Sequence, residues 1–365
     1  MNFTKEKISN IDQQDIFKIT LTNNHNYSIS FFNFGGYIHS ILIPYLNQPD
    51  KREDVLLGYD KFENYITDKS YFNCIVGRIS GRIANSQFYL NNNKYKLFSN
   101  DGRHHLHGGQ SGFNKKIWNI NFLDKNSDEI ICLLDYRSPD AEEGYPGNVE
   151  CTTKYTLNNK NEFIIQFNAN TDSDTIISLT NHNYWNFHGH NSMYQNILNH
   201  SVNIKAQLYC DSDKDLISTG KLLKVQQTKF DFQKSKIIDC SILNNKGIDV
   251  CYYIKEFDGK IKEVASVFST LTKMGLNLYS NQPGLQFYTG NMMNNHYAGK
   301  YSKKYGNQYG LCLEPQLFPD AINHKNFISP ILCKNEQYSS LIIMKLRNDF
   351  YFLMFDLKDM EHFEF

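Results

Sequence analysis

Proline is scarce in this chain, 8 of 365 residues, and no stretch rich in proline, glycine and serine divides it. That argues against a flexible linker between independently folded halves. Charge of one sign is missing too. Lys+Arg and Asp+Glu stand at 38 each, which removes the global attraction by which nucleic-acid binders and polybasic membrane proteins find their partners. No apolar run approaches the roughly 20 residues that span a bilayer. The opening residues, Met1-Asn2-Phe3-Thr4-Lys5-Glu6-Lys7, lead into polar sequence and not into an apolar signal core. The eight cysteines are scattered and form no Cys-x-x-Cys pair. Buried reduced thiols are therefore expected instead of a disulfide framework. Neither a membrane nor a nucleic-acid partner is expected, and the location expected is the cytoplasm.

Helix signals are few and strand signals many. Phe163-Ile164-Ile165-Gln166-Phe167 and Ile130-Ile131-Cys132-Leu133-Leu134 are short β-branched or aromatic runs bounded by Asn, Asp and Gly. From Ser201 to Tyr209, Val202, Ile204, Ala206 and Leu208 alternate with Asn203, Lys205 and Gln207, the pattern of one half-buried antiparallel strand. Gln87-Phe88-Tyr89-Leu90, three asparagines and Lys94-Tyr95-Lys96-Leu97-Phe98 read as a hairpin, because Asn tolerates the left-handed backbone of such loops. One short helix is expected from Tyr59 to Ile66, where Tyr59, Phe62 and Ile66 recur at helical spacing. Tandem repeats are absent. The fold class expected is all-β, one large antiparallel β-sandwich with few short helices, over a single domain 1–365. The 24 Tyr and 26 Phe are mostly core and cross-strand packing, with a few free to line a site.

Several strings place titratable groups among small, polar or turn-forming residues. In Gly77-Arg78-Ile79-Ser80-Gly81-Arg82-Ile83-Ala84-Asn85, two arginines four apart are either a solvated basic pair or donors at a turn where backbone approaches a ligand. His104-His105-Leu106-His107-Gly108-Gly109 invites a metal reading, but nothing nearby completes a ligand set, and a hydrogen-bonding His107 beside a Gly-Gly turn fits better. Ser138-Pro139-Asp140-Ala141-Glu142-Glu143-Gly144-Tyr145-Pro146-Gly147 reads as an acidic surface turn. In Thr180-Asn181-His182-Asn183-Tyr184-Trp185-Asn186, amides surround His182 and offer to orient its ring or a substrate hydroxyl; His188 and His190 follow, again without a third metal ligand. Gly247-Ile248-Asp249 and Asn281-Gln282-Pro283-Gly284 set single polar groups beside turns. In Leu311-Cys312-Leu313-Glu314-Pro315-Gln316, a carboxylate enters from a strand-like run. Partial desolvation there raises its pKa and makes it a stronger base, unless it is simply paired to an arginine. A carboxylate and an imidazole held apart by a scaffold are an acid–base pair suited to an uncharged substrate.

Taken in order from about Gly35 to Tyr338, these strings resemble the aldose 1-epimerase family, whose pattern runs G-R-x-x-N-R-I, L-H-G-G, S-P-D-G-E-E-G-Y-P-G, L-T-N-H-x-Y-F-N-L, G-x-D, Q-P-G-x-Q-x-Y-T-G-N and L-E-x-Q-x-x-P-D-A-x-N. The last appears as Leu313-Glu314-Pro315-Gln316-Leu317-Phe318-Pro319-Asp320-Ala321-Ile322-Asn323. The resemblance implies a large β-sandwich that interconverts the anomers of free hexoses such as galactose and glucose. By the same resemblance, Glu314 is the general base on the C1 hydroxyl and His182 the general acid on the ring oxygen. Arg82 and His107 then bind near the ring oxygen, Asp249 takes hydroxyls remote from C1, and Gln282 lies in the same pocket. No metal and no cofactor are implied; the partner is a monosaccharide, and the assembly a monomer or homodimer. Two alternatives are an epimerase of hexose 6-phosphates, with Arg78 and Arg82 taking the phosphate, and a sugar-binding protein without turnover. The chain departs from the pattern at Gly81 (usually Asn), Ala141 (Gly), Trp185 and Phe187 (Phe and Leu) and Pro315. Gly81 bears most directly on substrate preference.

Overall fold

The structure, a computed structural model, describes residues 1–190, 196–243, 246–293 and 297–348; residues 349–365 of the expected domain lie outside these. Three antiparallel sheets dominate. A five-stranded meander runs in chain order through Asn2–Ile11, Gln14–Thr22, Ser28–Phe32, Ile38–Tyr45 and Gln48–Asp54. A nine-stranded sheet begins with Asn119–Lys125, Glu129–Ser138, Val149–Asn158 and Glu162–Thr171 and continues through Gln337–Arg347, Gly275–Ser280, Lys262–Ser269, His200–Ile204 and Lys236–Ile237. Its long strand Gln337–Arg347 pairs with Glu162–Thr171 on one side and Gly275–Ser280 on the other. The middle and end of the chain are thereby stitched into one sheet, so no linker is needed. A third sheet, in the order Ser218–Lys224, Ala206–Ser212, Asp249–Ile254, Gly284–Tyr288 and Cys312–Gln316, carries the site.

Period-two alternation builds the layers. In Glu162–Thr171, Phe163, Ile165, Phe167 and Ala169 are buried while the residues between them are half-buried and Asn170 is exposed. They join Ile29 and Phe31 of the meander and Leu285 and Phe287 of the third sheet in one apolar cluster. Each such large side chain contributes about 1.5–3 kcal/mol on burial. The sandwich expected from the sequence is the architecture found. Trp185 and Phe187, where the family pattern has Phe and Leu, stack at 5.3 Å inside this core, away from any site.

Three local expectations meet the structure differently. The hairpin is present as Gln87–Leu90 and Asn93–Lys96, with Asn91 (φ 51°) and Asn92 (φ 63°) as a left-handed two-residue turn; the third asparagine already opens the return strand. The helix is Phe62–Ile66, shorter than expected because the backbone of Tyr59 is tied to the Tyr65 hydroxyl instead of a helical partner. The strand expected over Ser201 to Tyr209 is two strands in two sheets: Ile204 pairs with Ala265 in the nine-stranded sheet, and Ala206 with Ile254 in the third. Val202, Ile204 and Ala206 are all buried. A strand that changes sheets at a corner keeps one inward face, so its periodicity does not reveal the switch.

Arg78 and Arg82 part company. Arg78 is 2 % exposed and donates to the Ser138 hydroxyl and carbonyl, to the carbonyls of Pro139 and Pro146 and to the Thr175 hydroxyl, at 2.8–3.3 Å. It staples the acidic turn to the body of the protein. Removing it strands several buried acceptors, each costing about 1–3 kcal/mol. Arg78→Ala is therefore expected to lower unfolding stability by at least about 3 kcal/mol, measured by urea titration; a loss below about 1 kcal/mol would show that water replaces the staple.

Candidate active site

The third sheet turns one face into a cavity of about 220 Å³. Register sets the layout. Asp249, Tyr288 and Cys312 align across three neighbouring strands; so do Cys251, Gln286 and Glu314; so do Tyr253, Gly284 and Gln316. Within each strand these residues are two apart, so they share a face, while Leu285, Phe287 and Leu313 point into the core. Asp249, Gln286, Tyr288, Glu314 and Gln316 all line the cavity. Cys312–Gln316 is an edge strand of its sheet, which is where a proline without an N–H is tolerated. Pro315 follows the glutamate at no cost to the ladder, and its carbonyl accepts the Thr180 hydroxyl at 2.8 Å.

Glu314 is 2 % exposed, and its Oε2 has no hydrogen-bond partner among the described residues. Burial, reinforced by the nearby Asp249 carboxylate, holds its carboxyl well above the usual 4.5. His182 faces it, with Nε2 3.7 Å from Glu314 Oε1. The His182 ring stacks on Tyr184 at 4.9 Å and meets His107 edge-on at 5.3 Å. Burial pushes its pKa down to about 4. Both groups are thus driven towards their neutral forms. The expectation of a strengthened glutamate base stands physically. For His182 the lowering by burial outweighs the opposing contribution of its own backbone. The asparagines are not bonded to the ring: Asn181 donates to the carbonyls of Asn73 and Cys74, Asn186 to that of Tyr309, and Asn183 to the Met344 sulfur.

His107 also lines the cavity. The Gly81 N–H donates to its Nδ1 at 3.2 Å, which leaves Nε2 as the N–H donor of a neutral ring. Burial, then His182 and Arg82, hold its pKa well below 6.5. Its loop is tightly built. His107 has φ 51°, and Gly108 follows at φ 86°, where a Cβ would lie 1.7 Å from the Gly77 carbonyl oxygen, so only glycine fits. The acidic turn, expected to be mere surface, supports this loop: the Glu143 carboxylate accepts the N–H groups of Gln110 and Ser111 at 3.0 Å each. Arg82 lines the cavity with its Nε bonded to Asp101 at 2.7 Å. Asp249 accepts the Gln286 amide at 2.6 Å; burial raises its pKa, opposed by Arg82 and by that hydrogen bond.

Glu314, His182, Arg82, His107 and Asp249 therefore converge on one cavity. Gln282 does not. It sits in the turn before the Gly284–Tyr288 strand and lines a separate surface depression with Asn281, Pro283 and Tyr338. The glutamine of this segment that does line the cavity is Gln286, which has the strand parity of Tyr288 and stands opposite Glu314. Sequence reasoning missed Gln286 and Gln316, although counting by twos from Tyr288 and from Glu314 reaches both. The aromatics that composition could not single out are Tyr71, Tyr184 and Tyr288.

The histidines that suggested a metal are dispersed. His105 bonds the Phe98 carbonyl and the Tyr145 hydroxyl, His188 bonds Ser269 and the Leu198 carbonyl, and His190 bonds the Asp54 carbonyl and the Tyr305 hydroxyl. His182, Cys312 and Glu314 do bring a nitrogen, a sulfur and an oxygen within 4.8 Å of one another. Burial, then the adjacent Glu314 and Asp249, push the Cys312 thiol up.

The aldose 1-epimerase family model matches residues 18–345. Galactose mutarotase of Bos taurus is 37% identical over 290 residues, 79% of this chain and 82% of its own. Aldose 1-epimerase of Escherichia coli K12 is 33% identical over 339 residues, 90% and 95% of the two chains. Among solved structures, the galactose 1-epimerase of Lactobacillus acidophilus NCFM superposes with a TM-score of 0.82 at 24% identity, covering 95% of this chain and 98% of its own, which is a likeness of fold.

Proposed function

The chain belongs to the aldose 1-epimerase family, and from that premise we propose that it interconverts the α and β anomers of free hexoses such as galactose and glucose, with Glu314 and His182 as the acid–base pair. It is an isomerase, and its substrate is a sugar. The observation that carries the residue roles is the facing pair itself: a carboxylate oxygen and an imidazole nitrogen 3.7 Å apart, both buried, on the wall of one cavity.

Such a pair works with one shared proton. It exists as carboxylic acid with neutral imidazole, or as carboxylate with imidazolium. Burial favours the first; a bound sugar recruits the second, because O1–H donates to a carboxylate and the ring oxygen accepts from an imidazolium. Glu314 then takes the O1 proton, the C1–O1 bond becomes a carbonyl, the bond from C1 to the ring oxygen breaks, and His182 protonates that oxygen. The pair ends in the protonation state that burial favours. Rotation about C1–C2 and the reverse transfers give the other anomer. Every proton is accounted for by the two side chains and the sugar.

Around the pair, Arg82, His107 through its Nε2–H, and Asp249 with its partner Gln286 bind the ring hydroxyls. The enzyme acts as one domain in the cytoplasm, as a monomer or homodimer. With Arg78 committed to the turn, Arg82 lacks the second arginine a phosphate clamp would use, which favours neutral sugars. The direct test is polarimetry of freshly dissolved α-D-galactose and α-D-glucose at neutral pH. Relaxation faster than buffer for at least one sugar is expected, with the ratio ranking the two. No acceleration of either would sink the proposal and turn attention to sugar phosphates and to binding without turnover.

A further inference from the structure

The cavity wall holds an amide that no described residue bonds. Gln316 is 1 % exposed and lines the cavity, and neither its Oε1 nor its Nε2 has a hydrogen-bond partner among the described residues. Burying an unpaired donor and acceptor is destabilising, and an apolar side chain of similar size would avoid that cost. Stability therefore does not explain a glutamine at this position.

The neighbours explain why the amide stays unpaired. Gln316 shares a strand face with Glu314, and its cross-strand partner is Gly284, which has no side chain to offer. Close by is Gly81, with φ 75°; a Cβ there would lie 3.6 Å from Gln316 Nε2 and 3.3 Å from the Pro319 ring. The family pattern sets Asn at this position. Asn tolerates left-handed backbone, and its amide would reach towards Gln316. The backbone of Gly81 does not substitute: its N–H donates to His107 Nδ1 and its carbonyl accepts the His107 N–H at 3.1 Å. Gly81 thus offers no side chain and leaves space beside a buried donor and acceptor.

We propose that Gln316 is a further substrate-binding residue that sets specificity, its amide hydrogen-bonding one ring hydroxyl of the aldose in the space Gly81 leaves open. This rests on the aldose reading above. A hydroxyl both donates and accepts, as an amide does. Glu314 takes O1, so the next side chain on the same strand face meets a hydroxyl displaced along the ring.

The experiment compares kcat/KM for D-glucose and its 2-, 3-, 4- and 6-deoxy analogues in the wild type, Gln316→Leu and Gly81→Asn. With one analogue, the wild type is expected to lose about tenfold relative to glucose. Gln316→Leu is expected to lose about as much with glucose and nothing further with that analogue, while the other three ratios stay as in the wild type. Gly81→Asn, which gives the amide a protein partner, is expected to shrink the same single ratio, and it decides the matter should Gln316→Leu fail to fold. All four ratios unchanged in the folded variants would overturn the proposal while leaving mutarotation intact. A wild type that accelerates no aldose would overturn it together with the proposed function.

Discussion

Glu314→Gln is expected to lose 10²–10⁴-fold in kcat for sugar mutarotation, the range for one positioned acid or base, and to fold at least as well as the wild type. The two halves of this result come from one cause. The carboxyl is buried, with one oxygen unpartnered, and its pKa is raised well above 4.5. Between the ordinary pKa and the raised one, the folded state holds a proton that the unfolded state has released, so wild-type stability falls as pH rises through that window. The amide does not titrate, and this slope disappears in the variant. Thermal melts across that window, run beside polarimetry, check both predictions. Loss of only a few-fold in kcat would remove Glu314 from the chemistry. An unchanged pH slope of stability would place the raised pKa elsewhere.

How much of this was readable from the residues follows from what each signal measures. Period two identifies strands and their inward faces, and Phe163 to Phe167 shows it plainly. It says nothing about which sheet a strand joins, which is why the passage from Ile204 to Ala206 read as one strand. The strings around titratable groups, read through the family resemblance, pointed to Glu314, His182, His107, Arg82 and Asp249; His107 is held by a left-handed turn, whereas Glu314 and Asp249 sit within the ladder of the third sheet. Gln282 misled: its Gln-Pro-Gly context is a turn that leads to the site without facing it. Gln286 and Gln316 were missed because they lie inside strands, where a polar residue looks like ordinary alternation until register places it beside Glu314. The acidic turn was legible as a turn, but not as the support of the His107 loop, because the hydrogen bonds from Gln110 and Ser111 to Glu143 join segments 32 and 33 residues apart.

His182→Ala is expected to lose a similar 10²–10⁴-fold in kcat and, more tellingly, to reverse the pH dependence. In the wild type the active state of the pair holds one proton. A second proton adds to His182 near pH 4 and leaves no base, so kcat/KM falls below about that pH. At the other end, the last proton leaves the pair at the raised pKa of Glu314 and no acid remains, so activity falls as pH rises through it. The two limbs belong to the pair and not to either residue alone. Without the imidazole, Glu314 works only as a base, with water as the acid, and works only when ionised. Its protonation now removes the base, so the variant's residual rate should climb with pH through the range in which the wild type declines. Tyr184, stacked on His182 at 4.9 Å, loses a neighbour in the variant, so circular dichroism must first show a wild-type spectrum. A variant whose profile keeps the wild-type alkaline decline would mean that another group, His107 at 5.3 Å being the nearest imidazole, supplies the proton to the ring oxygen.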